Sequence, residues 1–474
     1  MLTSLRDRSR PTNLLTAAIA LAVLTLAFYL GQRPSMLWLG LLVGRLRRAG
    51  CCLPGPWLGL FALVAAALIV ASGVQHRYRR HRQSGHPAGP RRRRGSGCWT
   101  RCAAAACNIV ASPVNRPLAL FLAAGLLSLL IGRVTWNPFV PVGGNFLLVQ
   151  LAQWAIFAFS ALAFWLAANL VTDEKTLWRL TAFFLLLGGG VAIARTIPGL
   201  GGLLGRVTTA AFIRAPFWVL LTALAGGQLL WNRQLALGWR LFLGAALLAA
   251  LVYALVDQQE AASNWVGLAA VLGVLVWLRF PRLRGPLLVL LLLLAFSGLL
   301  LPGLYDFAGG DAEWEESGGS RLVLIERVVD VAMRNPITGL GPAAYRPYAN
   351  ATPLPYMGAY WVAPQINSHN NYVDLFAHGG LLGLALFFWF AWEIARLGTR
   401  LRRRYTAGFA AAYVNGMLAA GVGSLVIMMF ADWILPFVYN IQFVGFQASV
   451  LVWLFLGGLL VLDNQPERSH PNSL

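Results

Sequence analysis

Long apolar runs, repeated along most of the chain and parted by short arginine-bearing segments, constrain this sequence more than any other feature. They occupy residues 14–30, 53–74, 118–131, 146–171, 177–194, 212–231, 235–256, 265–278, 286–301, 372–395, 409–430 and 437–462. A helix needs about 20 mostly apolar residues to cross the hydrocarbon core of a bilayer. Only 12% of the residues are charged and 58% are hydrophobic, whereas soluble domains carry about 25% charged residues. The expected fold is an all-α polytopic membrane protein with about 12 transmembrane helices and one large loop before the tenth.

A basic N-terminus precedes the run at 14–30, as in a signal peptide. No small-x-small cleavage pattern follows it, because Phe28, Tyr29 and Leu30 precede Gly31, so it reads as a retained first helix. The apolar piece at 36–44 rises only about 13 Å as a helix, too little to cross, and reads as interfacial or re-entrant.

The formal charge of +21 is almost wholly arginine, Lys175 being the lone lysine. Nucleic acid is a poor explanation, because the arginines gather in inter-helix loops, the pattern that orients membrane proteins with their basic loops in the cytoplasm. Residues 75–116, with Arg77, Arg79, Arg80, Arg82 and Arg91 to Arg94 among Gly, Ser and Pro, read as a disordered cytoplasmic loop. Anchoring it inside places Arg282 and Arg284, and later Arg396 to Arg404, inside as well. The acidic loop at 302–368 falls outside. Only Arg45, Arg47 and Arg48 conflict with this scheme, unless 36–44 crosses.

The chain thus divides into N-terminal spans (1–74), the basic loop (75–116), central spans (117–301), the extracytoplasmic loop (302–368), C-terminal spans (369–462) and a cytoplasmic tail (463–474). Cys98, Cys102 and Cys107 have loose metal-like spacing, but no second pair completes a zinc pattern, so free thiols are the better reading.

Polar chemistry concentrates between Arg321 and Gly383. On a continuous helix from Ser368, residues His369, Tyr372, Phe376 and Gly383 would share a broad face, with Asn370, Asp374 and His378 repeating at four-residue spacing. Ionisable groups within a span are functional candidates because burying them is costly. His369, at the mouth of the span, has the proton affinity to deprotonate a hydroxyl near neutral pH. Asp374 and His378 have a plainer reading as a pair that glues helices together, and Gly379, Gly380 and Gly383 one as close-packing positions.

Arg321 is a candidate phosphate ligand, since a guanidinium offers planar two-point hydrogen bonding. Arg327, six residues on, cannot share its helix face closely, so one of the two could bind phosphate while the other pairs with Glu326 or Asp330. Asp311, Glu313, Glu315 and Glu316 read better as solvated than as a metal site, since no calcium-loop pattern is present. The loop aromatics Tyr345, Tyr348, Tyr356, Tyr360 and Trp361 could stack on sugars or pack the loop as a lid.

A leading Arg321, the stretch Asn335-Pro336-Ile337-Thr338-Gly339-Leu340-Gly341-Pro342, and the pair His369-Asn370 followed by Gly379, Gly380 and Gly383 resemble the O-antigen ligase and O-antigen polymerase superfamily. The resemblance implies an inverting, metal-independent, cofactor-free membrane glycosyltransferase. It would move a glycan from an undecaprenyl-pyrophosphate carrier to a lipid or glycan acceptor at the outer face of the cytoplasmic (inner) membrane, in lipopolysaccharide or another cell-envelope polysaccharide. By carry-over, His369 activates the acceptor hydroxyl and Arg321 holds the pyrophosphate. Family members usually carry a Ser-Arg pair where this chain reads Ser263-Asn264, so a second phosphate ligand would have to come from Arg195, Arg206 or Arg214. A ligase is the first reading and a polymerase the second. A noncatalytic transporter or scaffold stands against both, and a transporter would place its polar residues near the bilayer midplane.

Overall fold

The computed structural model describes residues 58–69, 109–201, 204, 214–258, 261–289, 319–351, 354–356, 359–361 and 368–466. Its helices are α1 (Leu58–Ile69), α2 (Asn115–Val134), α3 (Phe146–Leu170), α4 (Glu174–Thr196), α5 (Ala215–Trp231), α6 (Leu237–Val252), α7 (Ala262–Arg279), α8 (Gly319–Ala332), α9 (Tyr345–Ala351), α10 (Asn371–Arg404), α11 (Gly408–Ile427) and α12 (Val438–Asp463). A two-stranded antiparallel hairpin, β1 (Leu354–Tyr356) and β2 (Ala359–Trp361), lies between α9 and α10. The protein is an all-helical membrane protein. Among the described residues seven helices are long and apolar enough to cross a membrane, or eight if the bent pair Ser263–Arg279 and Pro281–Val289 is one span. The expected run at 14–30 and most of that at 286–301 lie outside the described residues.

Burial follows composition. Within α5 only Leu229 and Leu230 are not fully buried, as expected of a helix that is apolar all round. It packs with α11, α7 and α12 at the centre of the bundle. The outer helices instead present leucines to their surroundings, among them Leu130 on α2, Leu148 on α3 and Leu241 on α6, each more than half exposed. Leaving a leucine in water forgoes about 1.5–3 kcal/mol of burial, so this surface suits lipid.

The bundle has two distinct ends. At one, Arg402 Nη2 donates to the Leu278 carbonyl (2.8 Å), Arg400 pairs with Asp463 (2.7 Å) and Gln465 Nε2 donates to the Thr172 carbonyl (3.0 Å), so the arginine-rich end of α10 meets the ends of α7, α12 and α4. At the other end lie the start of α10, the segment 428–437 between α11 and α12, and Arg214 at the start of α5.

Helix α10 is not one rod. Gly380 has φ 64° and ψ −167°, which kinks the helix there. Residues 336–341, from the motif that precedes α9, insert into the break. Leu340 N and Gly341 N donate to the Ala377 and His378 carbonyls (2.8 and 3.1 Å), while Leu381 N and Leu382 N donate to the Pro336 and Ile337 carbonyls (2.9 and 3.0 Å). The backbone groups that a break orphans are thereby satisfied. Ser128 Oγ of α2 adds a hydrogen bond to the His378 carbonyl (2.5 Å). Gly339 and Gly341 also have positive φ, and a Cβ on Gly339 would meet Gly379 N at 2.5 Å. The glycines at 379, 380 and 383 therefore differ from the expected packing stripe: Gly380 is where the chain bends, while Gly379 and Gly383 face only Leu375 Cδ1 at 3.6 Å.

Candidate functional site

The helix expected to run from Ser368 starts three residues later. Asn370 is its N-cap, its Oδ1 accepting from Tyr372 N (3.1 Å) and Val373 N (3.3 Å), the role for which asparagine is strongly preferred. His369 therefore stands outside the helix, half-buried, with φ 52°, and shares no helical face with Tyr372. Asp374 is fully buried, and its Oδ1 accepts from Ser368 N (3.2 Å) and Ser368 Oγ (2.8 Å). His378 is also buried. Its Nδ1 lies 2.6 Å from the Asp374 backbone carbonyl, and its ring packs on Phe437 at 4.5 Å.

Asn371, next in the chain, joins this turn to the 428–437 segment. Its Nδ2 donates to the Leu435 carbonyl (2.8 Å) and to Asp432 Oδ1 (3.4 Å). Its Oδ1 accepts from Leu435 N (2.9 Å) and Ile434 N (3.3 Å), and its own N–H donates to the Met428 carbonyl (2.7 Å). Both Asn371 and Asp432 are fully buried.

The same segment brings an arginine in. Arg214 lies over the Trp433 ring, Cζ to centroid 5.5 Å, and Arg195 lies over Tyr253 at 5.1 Å. Tyr253 stacks on Trp218 at 4.3 Å and opens a π-helical turn, Tyr253–Asp257, that ends α6. Arg214 Nε and Trp433 Nε1 are buried donors with no acceptor among the described residues, a condition that is costly unless something else accepts. Asn264, where the resemblance leads one to expect an arginine, is buried at the start of α7. Gly267, one turn further on, abuts Ile427 and Val219, so the start of α7 belongs to this end of the bundle.

From the large loop, α8 packs on the outer arm of α10 through Val328, Ala332 and Ala377. Arg327, on α8, donates through Nη2 to the Ala349 carbonyl (3.0 Å) and hydrogen-bonds the Tyr345 phenol, rather than turning to Glu326 or Asp330. Burial pushes that phenol up to about 12; Arg327 opposes the shift and Asp374 adds to it. Tyr345 and Tyr348 are buried, so these two aromatics pack the loop; Tyr348 packs against Trp136 in a tilted pair at 4.8 Å with Arg334 over its ring at 5.4 Å.

The structure thus brings His369, Asn370, Asp374 and Arg214 to one end of the bundle. His378 lies one turn beyond Asp374, held in the kink. The Arg321 backbone belongs to α8, but its side chain lies outside the description, as do Arg206 and the acidic run at 311–316. Sequence reasoning missed Ser368, Asn371, Asp432 and Trp433. For Asp432 a signal existed: it is the lone carboxylate between residues 405 and 462, and an ionisable group among apolar runs is a functional candidate by default.

A family model described as O-antigen ligase matches residues 246–388. The matched stretch is similar to an O-antigen ligase domain. It runs from α6 to beyond the kink of α10, and includes Arg321, the inserted motif at 335–342 and the His369 turn. Arg214 and the 428–437 segment lie outside the matched range. No curated protein sequence matches the chain. The family match, together with the apolar helices, supports membrane glycan processing of the ligase or polymerase type.

Proposed function

We propose that this protein transfers a glycan from an undecaprenyl-pyrophosphate carrier to a hydroxyl of a lipid or glycan acceptor, with inversion and without a metal. His369 takes the proton of the acceptor hydroxyl as it attacks the anomeric carbon. Arg321 and Arg214, with Arg206 in the adjoining segment, hold the departing pyrophosphate. Asn370 fixes the start of the helix behind His369, while Asp374 and His378 support the turn.

The observation that carries this reading is the set of buried donors around Arg214. A guanidinium Nε and an indole N–H without acceptors among the described residues, one segment away from a half-buried histidine, suit a multiply charged anionic leaving group. They also answer the missing arginine at Asn264. The ligase function is favoured over a transporter because the histidine and arginine gather at one end of the bundle rather than at its middle.

The opposite end carries Arg396, Arg400, Arg402, Arg403 and Arg404. By the positive-inside rule that end faces the cytoplasm of the inner membrane. The site then faces outward, residues 302–368 form an extracytoplasmic loop, and residues 463–474 a cytoplasmic tail.

The test is purified protein incubated with an undecaprenyl-pyrophosphate glycan and candidate acceptors, with and without chelator. Glycosylated acceptor and released undecaprenyl pyrophosphate are expected in both. A strict metal requirement would shift the assignment to Asp311 and Glu313, and no transfer to any acceptor would remove it.

A further inference from the structure

His369 is held by its neighbours on both sides. Asp374 Oδ1 accepts from Ser368 N and Oγ, and Ser368 Oγ accepts in turn from Asn370 N at 3.1 Å. The residue before the histidine and the residue after it are therefore tied to one serine hydroxyl and one carboxylate, both fully buried. Between them the backbone of His369 takes φ 52°. A side chain other than glycine keeps such a conformation only where its surroundings over-determine it.

A fully buried carboxylate also needs compensating charge or hydrogen bonds. From other elements, Tyr345 of α9 feels both Asp374 and Arg327, and Arg327 of α8 is fixed by the Ala349 carbonyl. Helices α8 and α9, from the large loop, thus supply the polar surroundings of the carboxylate that closes the turn.

We propose that Ser368 and Asp374 form a clasp that sets the backbone of His369 and so aims its imidazole. Ser368 and Asp374 are positioning residues: neither touches the acceptor, and each acts through His369. The inference rests on the reading of His369 as the base. The Asp374 carboxyl accepts two hydrogen bonds at one oxygen; an amide in its place accepts more weakly. Threonine at 368 retains the hydroxyl, while alanine removes it.

The test uses the full chain in detergent and does not depend on activity alone. Modification of His369 by diethylpyrocarbonate, read by mass spectrometry of its peptide, is followed from about pH 5 to pH 8, where imidazole titrates. Transfer from an undecaprenyl-pyrophosphate glycan is measured in parallel. Ser368→Ala and Asp374→Asn are expected to change the His369 rate by about threefold or more, as half a pKa unit would, and to lower kcat while donor KM stays. Ser368→Thr is expected to restore both.

Ser368→Ala and Asp374→Asn proteins that elute as wild type on gel filtration and keep its modification profile would overturn the clasp. Altered profiles in a protein that transfers no glycan even as wild type would overturn the enzymatic reading and leave the clasp standing.

Discussion

Ile337 and Gly380 meet backbone to backbone inside the kink of α10: Leu382 N donates to the Ile337 carbonyl at 3.0 Å, and a Cβ on Gly380 would land on that carbonyl. The left-handed φ at 380 alone disfavours any side chain by about 1–2 kcal/mol, and the overlap with Ile337 adds to it. Gly380→Ala should therefore lower the thermal midpoint in detergent by several degrees. Gly379→Ala is the comparison, since its Cβ would meet only Leu375 Cδ1 at 3.6 Å. Alanine favours a helix by about 1 kcal/mol over glycine, so that variant should match or exceed wild type. Equal losses at both positions would mean that the kink is not what the glycine pair is for.

His369→Ala should leave a folded membrane protein with transfer reduced by about 10²–10⁴-fold, the range a general base contributes. The turn keeps its hydrogen bonds through Ser368, Asn370 and Asp374 in this variant. Full turnover in this variant, measured with the same donor and acceptor, would remove the base from His369.

The spans were legible because their signal is local. The runs read at 146–171 and 409–430 became Phe146–Leu170 and Gly408–Ile427, each end within a few residues. The start of α10 was less legible: Asn370 was counted inside the helix, although an asparagine facing a run of helix formers prefers to cap it. The kink at Gly380 could not be read, because the Gly-Gly pair announces flexibility but not the Pro336–Gly341 backbone that fills the break from some forty residues upstream. Arg214 stood as one of three arginines with nothing to choose among them. What separates it is Trp433, which tertiary packing brings from more than two hundred residues away.

Arg214→Ala should weaken donor use more than acceptor use, cutting kcat/KM for the undecaprenyl-pyrophosphate glycan by about tenfold or more, the loss of one charge-assisted hydrogen bond of 1.5–3 kcal/mol. Arg214→Lys should rescue little, because a lysine keeps the charge but not the planar two-point geometry. Inorganic pyrophosphate should inhibit the wild type and lose potency in both variants. An Arg214→Ala enzyme with wild-type donor kinetics and wild-type pyrophosphate inhibition would put the leaving group elsewhere.

Asn371 offers a test of the junction between the His369 turn and the 428–437 segment. Its amide oxygen serves Leu435 N and Ile434 N, both in the buried interior, and its Nδ2 lies 3.4 Å from Asp432 Oδ1. Asn371→Ala strands those backbone donors, at about 1–3 kcal/mol for a buried group left unsatisfied, and this loss does not depend on pH. Asn371→Asp keeps an acceptor for the same two N–H groups but sets a second carboxylate against Asp432. Two carboxylates in one buried space cannot both stay ionised without penalty. The deficit should be present at neutral pH, where the pair must either hold two charges together or draw a proton from dilute solution, and shrink as acid supplies that proton. Thermal midpoints of the two variants, each taken relative to wild type at the same pH, should therefore run parallel for Asn371→Ala and converge on wild type with falling pH for Asn371→Asp. Parallel behaviour of both would mean that Asp432 does not face Asn371 as a charge, and that the junction is held by the backbone hydrogen bonds alone.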